Sequence, residues 1–143
     1  MQHDEIIDRK INSFMPELFA MFHDNFMTHY LQREDDSYTG FLNQENSLFI
    51  KNKSGYVLPL YIKVKPLETV EGIQFLGTFR TENIRKLYVY FICRHDGLIT
   101  DISASAITVL NLNLLSVRKN NMNIESIVNK KEYAFGILIG HIL

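Results

Sequence analysis

Apolar residues at Ile7, Ile11, Phe14, Met15, Leu18, Phe22 and Phe26 recur at three- and four-residue steps, the spacing of one helix face. Pro16 interrupts the run. Its ring is tolerated in the first turn of a helix but not inside one, so the pattern predicts a break near Ser13 to Met15 and a main helix from Pro16 to about Gln32. Glu17 in that first turn favours the helix dipole. The polar run ending at Gly40 reads as a surface loop. From Asn46 the period becomes two, which predicts a pair of strands around a hairpin turn at Asn52, Lys53, Ser54 and Gly55. Leu58, Leu60, Ile62 and Val64 share the face expected to be core, and Tyr61, Lys63 and Lys65 the wet one. Pro59 has no N–H to give a ladder, so it implies an edge, a bulge or a non-bonded site. A third strand follows Gly72, with Ile73, Phe75 and Phe79 expected inward and Gly77 leaving room on that face.

The stretch from Leu87 to Leu112 organises the rest, because it joins a strand, a turn, a second strand and a helix without a spare residue. Asp96-Gly97 between two apolar runs is a strong hairpin signal, since the favoured turns need positive φ and these residues tolerate it. After Ile102 the period changes to about 3.6, with Ala106, Val109, Leu110 and Asn113 opening a helical pattern. Asn111, tolerant of the left-handed region, is placed to end a short helix.

Gly97-x-Ile99-x-x-Ile102-Ser103-x-Ser105-Ala106-x-x-Val109-Leu110-Asn111 resembles the opening of a PAS domain, with Ser103 standing for the family's usual Asn and Asn111 for its Gly. Both replacements keep the physical role, a helix cap and a left-handed terminus. The helix MPELFAMFHDNFMTHYL and the strands LFIKNKSGYVLPLYIKVKPLE and FLGTF resemble the final helix and last three strands of the same family. The two blocks cover most of residues 14 to 112, in reversed order: the closing half of the fold comes first. That order leaves two readings. Either residues 1–143 form one permuted PAS-like domain, or the chain straddles two successive PAS modules. The first is the expectation carried forward. It has a helical part and loop over 4–40, a sheet and following helix over 46–112, and a tail over 113–143. The resulting fold class is α+β, a five-stranded antiparallel PAS-like sheet in which a short link from Phe79 to Tyr88 joins the third and fourth strands, with helices packed on one face.

Composition narrows the function. Hydrophobic residues are 46% and charged residues 22% of 143, an ordinary globular balance. With 15 basic and 16 acidic side chains the net charge is -1, which gives no global field to recruit nucleic acid. A single cysteine, Cys93, excludes an internal disulfide and any multi-cysteine zinc site, and fits a reducing compartment. The N-terminus shows no signal-peptide core, and no stretch reaches the roughly 18 to 20 apolar residues that span a bilayer.

Candidate chemistry is sparse. His23 and His29 lie about 120° apart around their helix and cannot share a metal as an i, i+4 pair would. The PAS resemblance implies that a histidine on this helix, His23 or His29, is the haem ligand where the family holds haem, with Gly77 opening the pocket. The cysteine-bearing helix of flavin-binding relatives has no counterpart; Cys93 sits in a strand and reads as a small core residue. Glu34, Asp35 and Asp36 read as a solvated loop, and Arg80, Arg85, Lys86 and Arg94 as a solvated edge. No nucleophile elbow, phosphate loop or HExxH motif occurs. The expected function is therefore a non-catalytic, PAS-like interaction or regulatory module, without a cofactor, docking in a larger assembly. The alternative is a small-ligand or haem sensor using His23 and Gly77. Other protein subunits, including a second PAS domain, are the implied partners, in the cytoplasm or in a membrane-associated or cytoskeletal assembly. Phe135, Ile137, Leu138, Ile139, Ile142 and Leu143 give the tail more apolar surface than a free terminus normally exposes, and mark it as a docking element.

Overall fold

Two glycine-bearing turns set the register of the larger sheet. The computed structural model describes residues 7–32, 41–81 and 88–128. Strands β1 (Glu45–Lys51), β2 (Val57–Thr69) and β3 (Gly72–Thr81) run antiparallel in the order β1-β2-β3. At the first turn Asn52 Oδ1 accepts from the backbone N–H of Ser54 at 2.9 Å and of Tyr56 at 3.0 Å, while Gly55 takes φ of 80°. An asparagine closing a turn on itself in this way fixes which residues face each other. Asn52 N donates to Tyr56 O, so by the alternation of an antiparallel ladder the Phe49↔Pro59 pair falls on a non-bonded site. On its other edge β3 has already ended, at Thr81 opposite Leu60. Pro59 therefore sits in the middle strand at a position where the β1–β2 ladder needs no N–H from it.

Of the four residues on the β2 face predicted to be core, one is buried, and Leu58, nearest the turn, is half-buried. Leu60 is buried, but Ile62 and Val64 are half-buried and Phe79 is 63% exposed. On the opposite face Arg80 donates from Nε and Nη2 to the two carboxylate oxygens of Glu45, each at 2.7 Å, and lies 4.2 Å from the Tyr61 ring centroid. This ladder spans all three strands, but the face expected to be wet is not wet throughout: Tyr61 and Lys63 are half-buried, and nearer the turn Val57 and Pro59 on the same face are buried.

Strands β4 (Phe91–Cys93) and β5 (Ile99–Ile102) form a separate antiparallel pair around Arg94 to Gly97. Gly97, with φ of 81°, donates to Arg94 O at 2.9 Å, and Asp96 Oδ1 accepts from Leu98 N at 3.1 Å. Three short helices follow: α2 (Ser105–Leu110), α3 (Leu114–Lys119) and α4 (Glu125–Val128). Asn111 ends α2 in the left-handed region at φ 53°, as its chemistry predicts. Asn113 opens α3 as its N-cap rather than continuing α2, its side chain accepting from Ser116 N at 2.8 Å. Ser103 does not cap α2. Its hydroxyl accepts from Tyr90 N at 2.9 Å and its own N–H donates to Tyr90 O, so it prolongs the strand pair instead.

The core lies in this second half. Ile99, Ile102, Ala106, Leu114, Val117 and Ile127 form one buried cluster, and full burial of each branched aliphatic side chain is worth roughly 1.5–3 kcal/mol. Leu114, Val117 and Ile127 fall in the segment assigned to the tail. The upstream sheet meets the cluster at its turn end: Tyr56 packs against it, and its hydroxyl accepts from Leu114 N at 3.4 Å.

The five strands are present, but they do not make one sheet. The expected meander needs β3 beside β4. Instead, among the described residues β4 pairs with β5, and the end of β5 reaches the larger sheet through a parallel bridge, Ser103 to Val57, beyond the point where β3 stops. The observed architecture is α+β with a three-stranded and a two-stranded antiparallel sheet. Nor do all helices share one face. The helix α1 (Glu17–Gln32) touches β3 through Tyr30 and Phe75, whereas α3 packs on β5. The Phe79 to Tyr88 link lies largely outside the described residues, as do Glu34, Asp35, Asp36, Arg85, Lys86 and the whole tail from residue 129.

Candidate interaction surface

The helix α1 forms where the pattern places it. A 3-10 turn at Ile11–Phe14 and an extended Met15 precede it, and Pro16 O accepts from Phe19 N and Ala20 N, each at 3.0 Å. Phe19, Phe22, Phe26 and Tyr30 recur along one stripe, yet no residue of this helix is buried. Phe26 meets Phe41 edge-on at 6.2 Å and Tyr30 meets Phe75 at 5.8 Å. Near these two contacts Phe22 and Phe26 of α1 and Ile73 and Phe79 of β3 are all more than two-fifths exposed, whereas the exposed Met21 and Leu31 point away from that stripe. Ile73, Phe75 and Phe79 alternate on one face of β3, so their exposure is that of a sheet face and not of a wet edge.

The two residues named for a sensor role stand as follows. His23 lies half-buried on α1, with Nδ1 3.5 Å from Asp24 Oδ1. The Asn12 amide at 2.9 Å, and then this imidazole, hold the Asp24 carboxyl below the usual carboxylate range. His29 Nδ1 lies 2.7 Å from Asn25 O in the preceding turn. Gly77 is exposed, and a Cβ there would make ordinary contact with Ile62 at 3.9 Å and Phe79 at 4.0 Å. It is not a glycine that keeps space open. Among the described residues no three His, Cys, Asp or Glu side chains gather as a metal site, and no helix is long and apolar enough to cross a membrane. The docking residues Phe135, Ile137, Leu138, Ile139, Ile142 and Leu143 lie outside the described residues. Of the basic edge, Arg80 pairs with Glu45 and Arg94 with Asp96 at 2.9 Å, both exposed pairs.

Cys93 is half-buried in β4, and burial pushes its thiol up to about 11 from 9.0. Two units leave about 100-fold less thiolate than an unperturbed cysteine at the same pH, and the thiolate is the reacting species. Native protein at pH 8 should therefore react with iodoacetamide at least tenfold more slowly than the same chain in urea. Equal rates, read by intact mass against time, would show an exposed, ordinary thiol.

The charged residue that periodicity does not reveal is Asp101. It is fully buried on β5, with Arg118 Nη2 of α3 at 3.1 Å from Oδ1 and Lys51 Nζ of β1 at 3.9 Å, and its Oδ2 has no hydrogen-bond partner among the described residues. It ties both sheets and a helix together. A lone aspartate inside the apolar run LITDI was its only trace in the sequence. Compared with protein-family models and with curated proteins, the chain matches none.

Proposed function

We propose that this chain is a non-catalytic interaction module, PAS-like in its parts, which docks other protein subunits in a larger cytoplasmic assembly. One observation carries the reading: the apolar face of α1 and the adjoining face of β3 are left uncovered by the described residues, with Phe22 at 53%, Phe26 at 41%, Ile73 at 54% and Phe79 at 63% exposure. Contiguous apolar surface of this kind marks interaction sites more often than ordinary solvent-facing surface. The PAS resemblance is supported by the order of the parts. A helix followed by a three-stranded meander fits the closing half of such a domain, and a hairpin followed by short helices fits the opening half. Because these halves form separate sheets, the arrangement favours the junction of two successive modules over one permuted unit. A second PAS domain is then the natural partner class.

Phe22→Asp with Phe79→Asp tests the surface. Both side chains are half exposed or more, so the double variant should unfold within about 1 kcal/mol of wild type. Its capture of the partners that co-purify with the native protein should fall at least tenfold. Unchanged capture would remove this face from the proposal. Truncating residues 134–143 in parallel measures how much of the docking belongs to the apolar tail.

A further inference from the structure

Between the 3-10 turn and the β1–β2 turn lies a cleft of about 270 Å³, lined by Arg9, Ser13, Phe14, Lys51, Asn52, Lys53 and Gly55. Three of these seven carry positive charge and none is a carboxylate. The cations come from two separate segments and converge on one concavity, which distinguishes the cleft from a solvated lysine run.

Two of them are held in place. The Arg9 guanidinium sits 4.9 Å from the centroid of the buried Phe14 ring, so a flat apolar surface orients its N–H edges. Lys51 Nζ lies 3.9 Å from Asp101 Oδ1, but that carboxylate also serves Arg118 at 3.1 Å. One negative charge shared between two cations leaves a positive excess beside the cleft. Asn52 spends its Oδ1 on two backbone N–H groups, Ser54 and Tyr56, which fixes the side chain with its amide nitrogen as the remaining polar group. Gly55, at φ 80°, keeps the turn tight against the concavity.

We infer that this cleft binds a phosphate-bearing small anion, gripped by Arg9 and Lys51 with Asn52 and Lys53 at its rim. Guanidinium and ammonium donors to phosphate make charge-assisted bonds, the strongest class a surface cleft offers. The volume lies just below the range of about 300–1,000 Å³ that holds drug-sized ligands, and so suits a sugar-phosphate or a lipid headgroup. With an overall charge of -1 and the cations confined to two turns, the cleft does not extend into a track for a nucleic-acid backbone. The site is remote in chemistry from the apolar docking face and stands whether or not that face binds a protein.

Titration calorimetry of the full chain with inorganic pyrophosphate, at fixed ionic strength, tests the site directly. Saturable one-to-one binding is expected. Arg9→Gln and Lys51→Gln should each weaken it about tenfold, the loss of one charge-assisted bond. Lys119→Gln, a cation at the end of α3 outside the cleft, should leave it unchanged. Flotation with phosphatidylcholine vesicles, with and without phosphatidylinositol bisphosphate, identifies the source. Binding dependent on the bisphosphate and lost in Arg9→Gln assigns a headgroup; pyrophosphate binding alone assigns a soluble ligand. Should Lys51→Gln fail to fold because Asp101 loses a counter-ion, the exposed Arg9→Gln and wild-type amide shifts at residues 51–55 decide the matter. The inference is overturned if neither probe binds, if Lys119→Gln weakens binding as much as the cleft variants, or if Arg9→Gln binds like wild type.

Discussion

Replacing Arg118 by alanine should lower the unfolding free energy by on the order of 3 kcal/mol, although Arg118 itself is half exposed. The cost arises at its partner. Asp101 is fully buried, and among the described residues its Oδ2 has no hydrogen-bond partner and the cation left to it without Arg118 is Lys51, 3.9 Å away. A buried carboxylate stripped of its closest counter-ion keeps its full desolvation penalty. Asp101→Asn should cost less, about 1 kcal/mol, because the amide carries no charge to desolvate and the two freed cations reach water. Urea unfolding of the two variants orders them. If Arg118→Ala is the milder change, the carboxylate is not held by this pair.

Gly97→Val should cost roughly 2–4 kcal/mol, more than a positive φ alone explains. A Cβ at Gly97 would sit 2.7 Å from Asn123 Oδ1 and 2.8 Å from Nδ2. Asn123 cannot simply move aside. Its Nδ2 donates to Asp96 O at 2.8 Å and its Oδ1 accepts from Glu125 N at 3.0 Å, so one side chain clamps the β4–β5 turn to the start of α4. Gly72→Val is the comparison, with φ of 115° but nothing within 4 Å of its Cβ. Equal losses at the two glycines, in thermal or urea melts, would mean that the clamp contributes nothing. In the Gly97→Val background, Asn123→Ala should cost less than it does alone, since the clamp is already broken.

What the sequence made legible was local chemistry. Pro16, Asn52 with Gly55, Asp96 with Gly97, and Asn111 each constrain the backbone within a few residues, and each feature stands where the pattern places it. Strand partners are another matter, because a period of two states which face is apolar and not which strand lies alongside. The apolar content of β3 and β4 fitted one sheet as well as two; the bridge from Ser103 to Val57 decides, and no pattern announces it. Leu114 and Val117 were hidden for a similar reason. Two short helices separated by an asparagine cap produce no sustained period, so core residues fell in the segment assigned to the tail. The cleft was illegible because Arg9 and Lys51 are far apart in the chain, and Asp101 because burial of a charge depends on counter-ions that other elements bring.

Strand β1 stops pairing at Glu45, opposite Lys63, while β2 and β3 continue together for six more pairs, from Val64↔Gly77 to Thr69↔Gly72. That is a two-stranded ribbon of about 20 Å beyond the last three-stranded row, tied at its base where Asn43 N donates to Val64 O at 2.8 Å. The ribbon has no third strand among the described residues and meets α1 where Tyr30 touches Phe75, so past that contact its own ladder does most to resist opening and the free energy of protection falls from base to tip. Amide exchange should follow that gradient, slow at Leu60 and fast at Leu67. The molecule thus carries a lever whose stiff end is fixed in the sheet and whose pliant end is the first part of it that an approaching surface would bend.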